Sequence, residues 1–189
     1  MWFIPAFELG LWNAWIFTVP IIIIMIFGSK ILGKRESGES SSVTRKGEMV
    51  GSIDMIVRFT LYAYSIFLPL KLNTIWLVMG LLIYFTVMLF LVTGFLNLAY
   101  TSVNELTTRG VYRISRNPMY VGLILADISI GLACFSWVFL LAAIVDFLLL
   151  RYFVVVIEEP FLMKKYGDAY REYMDRTSRW LGIPKSDKK

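Results

Sequence analysis

The sequence predicts an all-α, polytopic membrane protein of about five transmembrane helices, closed on the cytosolic side by an amphipathic helical C-terminal cap. Three observations predict it. Of the 189 residues, 58% are hydrophobic, above the roughly 45–50% of soluble domains. The apolar residues lie in runs that match the about 20 residues needed to cross a hydrocarbon core. Lys and Arg gather in alternate connections, as they do when basic residues mark the cytoplasmic loops. Spans use more than half of the chain, so residues 1–189 read as a single membrane domain.

The first span covers about 11–32, with Trp12 and Trp15 as an interfacial belt and Pro20 as a kink that spans tolerate. No basic segment precedes it and no small-residue cleavage pattern follows, so it reads as an anchor and not as a cleaved signal. Residues 33–48, rich in Ser, Gly and charge, read as a loop. The second span, about 53–70, is interrupted by Arg58. Asp54 lies four residues earlier on the same helical face, so the two are expected to pair and snorkel near the interface.

Residues 72–100 carry no charged side chain and form the third span. The next apolar stretch, 119–157, holds only Asp127, Asp146 and Arg151 as charges before Glu158. As one helix it would reach about 58 Å, against a core of about 30 Å. It is therefore expected to fold back near Cys134, Phe135 and Ser136, giving spans at about 119–134 and 136–157. Asp127 and Asp146 then sit at similar depth on adjacent helices, and intramembrane carboxylates are functional candidates.

Five spans place Lys30, Lys34, Arg35, Arg45 and Lys46 on the same side as Arg109, Arg113 and Arg116 and as the basic C-terminal tail, with Lys71 alone opposite. That puts the N-terminus outside and the C-terminus in the cytoplasm. In the tail, Leu162, Tyr166, Tyr170, Tyr173 and Met174 recur at three- and four-residue spacing among charged residues. This is the pattern of a helix lying at an interface, broken near Gly167.

Composition also excludes chemistry. The chain has no histidine and one cysteine, Cys134, which removes a Ser-His-Asp triad, a Cys-His dyad and nearly every zinc site. No metal site and no disulfide are expected. The net charge of +5 follows from topology, so no nucleic-acid partner is expected. No GxGxxG occurs, and a Rossmann domain does not fit.

The chemistry is expected at the cytoplasmic mouth of the bundle, where residues 107–118 face Glu158 and Glu159. Arg113 and Arg116 are cationic donors and Tyr112 and Tyr120 are stacking surfaces. Pro118 suits the first turn of a helix, whose free N–H groups favour a carboxylate. Glu158 can hold an ammonium or sulfonium. A zwitterionic, amino-acid-like ligand with an aromatic base matches this set, and an ordinary positive-inside loop buttressed by a proline is the plain alternative.

The stretch LTTRGVYRISRNPMYVG followed by EEPFLMKKYGDAYREYMDRTSRWLG resembles the isoprenylcysteine carboxyl methyltransferase / phospholipid methyltransferase superfamily of integral membrane enzymes. The likeness covers roughly residues 97–182. It is carried by Gly110 and Tyr112, by Arg116, Pro118, Tyr120 and Gly122, by Glu158 and Glu159, and by Tyr166, Gly167, Tyr170 and Tyr173. The resemblance implies S-adenosyl-L-methionine as methyl donor and a lipophilic methyl acceptor, such as a prenylcysteine carboxylate or a membrane lipid head group, arriving from the bilayer. It also implies cofactor contacts from Asn104, Leu106, Thr107, Tyr112, Arg116, Asn117, Pro118, Met119, Tyr120 and Glu158.

Two departures stand out. The family's Arg-His-Pro is Arg-Asn-Pro here, so position 117 can hydrogen-bond but not titrate. The arginine that prenylcysteine enzymes place four residues before the glutamate is Val154 here, and Arg151, one turn earlier, is the candidate substitute. Catalytic roles are therefore expected of Arg151, toward the substrate, and Glu159, toward a proton. The competing readings are an NADPH-dependent sterol-type reductase and a non-catalytic membrane subunit of the same fold.

Overall fold

The computed structural model describes residues 9–36, 45–102 and 104–184. Among them the chain is helical throughout, with one isolated bridge between Asn13 and Pro69 and no strand. The helices are α1 (Trp15–Glu36), α2 (Arg45–Ser65), α3 (Ile75–Ala99), α4 (Pro118–Cys134), α5 (Trp137–Phe153), α6 (Glu159–Tyr166) and α7 (Asp168–Arg176). A π-helical turn, Val154–Glu158, joins α5 to α6.

The expected fold-back is present. Phe135 caps α4 in the left-handed conformation (φ 54°), and Ser136 donates its N–H to the Gly131 carbonyl at 2.8 Å, so α5 starts two residues later. The break in the tail also falls where glycine allows it. Gly167 takes φ 55° between α6 and α7, a conformation that costs a side-chain-bearing residue free energy.

Boundaries in the N-terminal half differ from expectation. Helix α1 continues through Gly33 to Glu36, and α2 starts at Arg45 and stops at Ser65. The charged ends that read as loop are helix, because Lys, Arg and Glu are good helix formers at an aqueous end. The rest of the expected loop, 37–44, lies outside the described residues. After α2 the chain turns through Ile66–Asn73 and laces to the segment before α1. Ala14 donates to the Leu68 carbonyl at 2.9 Å, Leu70 to the Trp12 carbonyl at 3.0 Å, and the Asn13 amide to the Ile66 carbonyl at 2.7 Å.

Among the described residues two helices are long and apolar enough to cross a membrane, Ile75–Ala99 and the continuous Trp137–Tyr166. The apolar parts of α1 (Trp15–Ile31) and α4 (Pro118–Cys134) are shorter. Helix α2 carries Asp54 and Arg58 amid its apolar residues.

Helix α4 is the centre of the bundle, packed between α3 and α5, while α2 lies along α5 and α1 against α3. The α3–α4 approach is close because it is lined by small residues: a Cβ on Gly80 would stand 2.7 Å from the Ser129 carbonyl oxygen and from the Ala133 Cβ. Small residues let helix backbones approach where the surroundings offer no hydrophobic drive. The core runs from Phe17 and Ile21 through Tyr84, Leu91 and Leu123 to Ile130 and Phe139. Tyr84 meets Phe17 edge-on at 4.7 Å and donates to the Phe17 carbonyl at 2.7 Å. Outward-facing positions are also apolar, among them Ile26, Phe27, Phe59, Leu82, Phe85, Leu89, Leu141 and Leu148.

Arg58 does not snorkel. It is 7% exposed and enters the bundle, where Nη1 donates to Asp127 Oδ2 of α4 at 3.1 Å and Nη2 to Asp146 Oδ2 of α5. Asp54 stands 3.8 Å from Nε. The two carboxylates expected at equal depth on α4 and α5 thus meet, but on an arginine from α2. Burial selects this arrangement, since the long guanidinium stem reaches both carboxylates and an interior carboxylate without a cation is costly.

Candidate functional site

Helix α5 does not end at its last regular turn. Residues 154–157 are Val, Val, Val and Ile, whose branched side chains crowd a regular helix. Pro160 lacks the N–H that the Val156 carbonyl would need, and its ring pushes on that carbonyl. The ladder widens into the π turn, with the Glu159 N–H bonded to the Val154 carbonyl. The wider turn shifts the phase of the helix, and at its end Glu158 meets Tyr120 while Glu159 meets two arginines. Such π turns are frequent at functional sites. The β-branched run before a proline was the signal for it in the sequence.

The two glutamates do different things. Glu158 hydrogen-bonds Tyr120, at the first turn of α4. Its Oε2 is buried and has no hydrogen-bond partner among the described residues. Tyr120 is held edge-on to Phe153 at 6.4 Å and faces Tyr112, which is buried in the short 3-10 turn Gly110–Arg113. That turn needs Gly110: φ is +58° and a Cβ there would strike the Asn97 side chain.

Glu159 is held by two arginines. Arg179 grips it from both sides, Nε to Oε1 at 2.9 Å and Nη2 to Oε2 at 2.8 Å, and Arg116 Nη1 stands 3.1 Å from Oε1. Bidentate arginine–carboxylate pairs are among the stronger charge-assisted contacts.

The same residues stitch the loop before α4 to the tail after α7. Arg116 donates its N–H to the Ser178 carbonyl at 2.9 Å, and Gly182 donates to the Ile114 carbonyl at 3.1 Å. The Asn117 amide donates to the Arg179 carbonyl at 3.0 Å. From α7, the Tyr173 hydroxyl donates to the Tyr112 carbonyl at 2.6 Å. Tyr170 is buried beside Arg116, and that burial pushes its hydroxyl up to about 12. The amphipathic cap is therefore a lid locked onto the site and not a free interfacial helix.

Among the expected site residues, Tyr112, Tyr120 and Glu158 form one cluster. Arg116, Asn117 and Glu159 form the adjoining clasp. Pro118 opens α4 and is buried, and Met119 packs beside Gly94 of α3. Thr107 is buried and Leu106 half-buried, while Asn104 is exposed. The neighbouring Glu105 carbonyl accepts from the Tyr166 hydroxyl at 3.5 Å, which draws that segment toward α6. Arg151 is exposed, with no ion pair to it among the described residues, and Val154 is fully buried. Asp146, one partner open to Arg151 by sequence, is taken by Arg58. Sequence reasoning missed Arg179, whose only local signal was its place in a charged tail.

The cluster has the character of a cation site with an aromatic wall. A buried carboxylate oxygen without a donor carries a desolvation cost of about 1–3 kcal/mol or more, which a bound ammonium or sulfonium offsets. Tyr120 and Tyr112 supply faces for a cation or a base. No group of three or more His, Cys, Asp or Glu suited to a metal ion occurs among the described residues. The family model described as phospholipid methyltransferase matches residues 71–169, a range that contains α3, α4, α5 and both glutamates. No curated protein matches the chain.

Proposed function

The chain belongs to the phospholipid methyltransferase family, and we propose that it is an integral membrane methyltransferase that uses S-adenosyl-L-methionine on a lipophilic acceptor. The observation that carries the cofactor assignment is the unpartnered, buried Oε2 of Glu158 beside Tyr120. When bound, the cofactor supplies a methyl group activated on a sulfonium. Its cationic groups suit Glu158, its base suits the faces of Tyr112 and Tyr120, and its carboxylate suits the N-terminal turn of α4 behind Pro118. Asn104, Leu106, Thr107, Arg116, Asn117 and Met119 complete the proposed enclosure. Glu159, paired with two arginines, acts in this reading by holding the lid closed, which excludes water and fixes the reactants. Positioning of this kind supplies much of the acceleration of a displacement reaction.

Thermal-shift titration of the detergent-purified protein tests the reading. S-adenosylhomocysteine should raise the melting temperature in a saturable way, and NADPH should not. The reverse result would favour a reductase, and no shift with either would favour a non-catalytic subunit.

The proposed topology keeps five spans, with α1 to α5 as the crossing helices, the N-terminus outside and the C-terminus in the cytoplasm. The apolar outward faces and the Lys/Arg asymmetry support it. A reporter fused after residue 189 should be active only on the cytoplasmic side, and activity confined to the outside would overturn the orientation.

Arg151 is the proposed contact for an anionic group of the acceptor arriving from the bilayer, since its exposed position on α5 lies open to lipid. Arg151→Ala should raise the KM for the acceptor several-fold and leave S-adenosylhomocysteine affinity unchanged. Unchanged kinetics with a lowered melting temperature would assign it a structural role.

A further inference from the structure

Where the tail crosses the loop before α4, the chain leaves a cavity of about 140 Å³. The crossing is held by backbone bonds, from the Arg116 N–H to the Ser178 carbonyl at 2.9 Å and from the Gly182 N–H to the Ile114 carbonyl at 3.1 Å. Arg116 lines the cavity from the loop, and Arg176, Thr177, Ser178 and Arg179 line it from the end of α7 onward. Three guanidiniums thus meet at one small space, with Asp175 as the carboxylate among the lining residues.

The cations are not evenly balanced. Arg176 pairs with Glu172 on its own helix, but Arg116 and Arg179 share the single carboxylate of Glu159. One positive charge of that pair has no counter-charge in the clasp. The Arg116 side chain is 8% exposed, and its Nε makes no hydrogen bond among the described residues. A buried donor left without an acceptor is costly, and a bound anion removes that cost. Two features oppose an anion: Asp175, and the negative end of the α7 dipole. Asp175 is exposed, so water and salt screen it far more than they screen Arg116. The dipole is a partial charge whose effect fades within the last turn. The guanidiniums prevail.

We propose that this cavity binds a phosphate group, held by Arg116, Arg176 and Arg179, and that its occupation tightens the clasp on Glu159. Guanidinium forks match the paired oxygens of a phosphate, and the hydroxyls of Thr177 and Ser178 can each donate one further bond. The cavity is well below the roughly 300–1,000 Å³ of pockets that enclose drug-sized ligands. It therefore suits a single phosphate group and not a whole nucleotide. The bound anion supplies the negative charge that Glu159 alone does not, so the loop carrying Arg116 and the tail carrying Arg179 are drawn onto a common centre. A phospholipid head group and inorganic phosphate offer the same chemistry here.

Thermal melting of the detergent-purified full chain in sodium phosphate, against sodium chloride at equal ionic strength, tests the site. Phosphate should raise the melting temperature in a saturable way. Arg176→Gln should weaken the apparent phosphate affinity about tenfold, the scale of one lost hydrogen bond to a charged group, and Asp175→Asn should strengthen it several-fold. Both side chains are exposed and lie outside the Glu159 clasp, so both variants should fold. Phosphate also stabilises proteins by exclusion from their surfaces, but that effect does not saturate and is the same in all three proteins. An equal response in the wild type and both variants overturns the site. Nanodiscs of phosphatidylcholine with and without phosphatidic acid separate the two sources. Stabilisation by phosphatidic acid that is smaller in Arg176→Gln, with no further rise on adding phosphate, assigns the site to a lipid head group. A continued response to added phosphate in those discs assigns it to the soluble anion. No response to either probe that depends on Arg176 and Asp175 rejects the proposal.

Discussion

Replacing Arg58 by methionine should largely prevent accumulation of folded protein. Among the described residues the guanidinium is the one cation that Asp127 and Asp146 contact, and it joins α2 to α4 and α5. Methionine fills most of the stem's volume, so packing changes little, but two interior carboxylates lose their partner. Breaking a buried pair from one side costs about 3–5 kcal/mol, against a total stability of about 5–15 kcal/mol for ordinary domains. Replacing a buried ionic group as a whole by neutral residues is far milder. Arg58→Met combined with Asp127→Asn and Asp146→Asn should therefore recover much of the yield that the single change loses. Detergent-extracted yield and melting temperature measure both. A single variant as stable as the wild type would show that the cluster does not hold the helices together.

Glu158→Gln should weaken S-adenosylhomocysteine binding by about 1–3 kcal/mol, the scale of a desolvated charge-assisted contact, or roughly 5- to 150-fold in affinity. The amide keeps the size of the carboxyl and a hydrogen bond to Tyr120, so the π turn and lid should survive and the melting temperature of the unliganded protein should hold or rise. The oxygen lost is the one without a partner among the described residues, and this separates a ligand contact from a structural one. Tyr120→Ala should weaken binding by a similar amount, through the lost stacking face and the loss of the group that orients Glu158. Calorimetric titration of both variants is the measurement, and wild-type affinity in both would place the cofactor elsewhere.

The clasp shows why the site was legible only in part. Sequence put Arg116, Asn117 and Glu159 near a cofactor, and the structure does bring them beside Tyr120 and Glu158. Their side chains, however, face the tail: Arg116 and Arg179 on Glu159, Asn117 on the Arg179 carbonyl. Arg179 lies twenty residues from Glu159 and sixty-two from Asn117. No periodicity relates positions at such distances, because the pairing depends on how the chain turns at Gly167 and again after Arg176.

By itself the sequence determined the features whose cause is local. Hydrophobic run length set the helical class, and the impossibility of a single helix of about 58 Å required the break at Phe135. Pro118 set the start of α4, and Gly167 the break between α6 and α7, because each has few conformational alternatives. Tertiary structure alone decided which way each helix is rotated about its axis. That rotation sends Arg58 inward to Asp127 and Asp146, where four-residue spacing had suggested only Asp54. The π turn adds its own offset, turning Glu158 toward Tyr120 and Glu159 toward two arginines. Helix rotation is fixed by the summed packing of all neighbours and by the cost of leaving an interior charge unpaired. Neither quantity exists until the helices have been brought together.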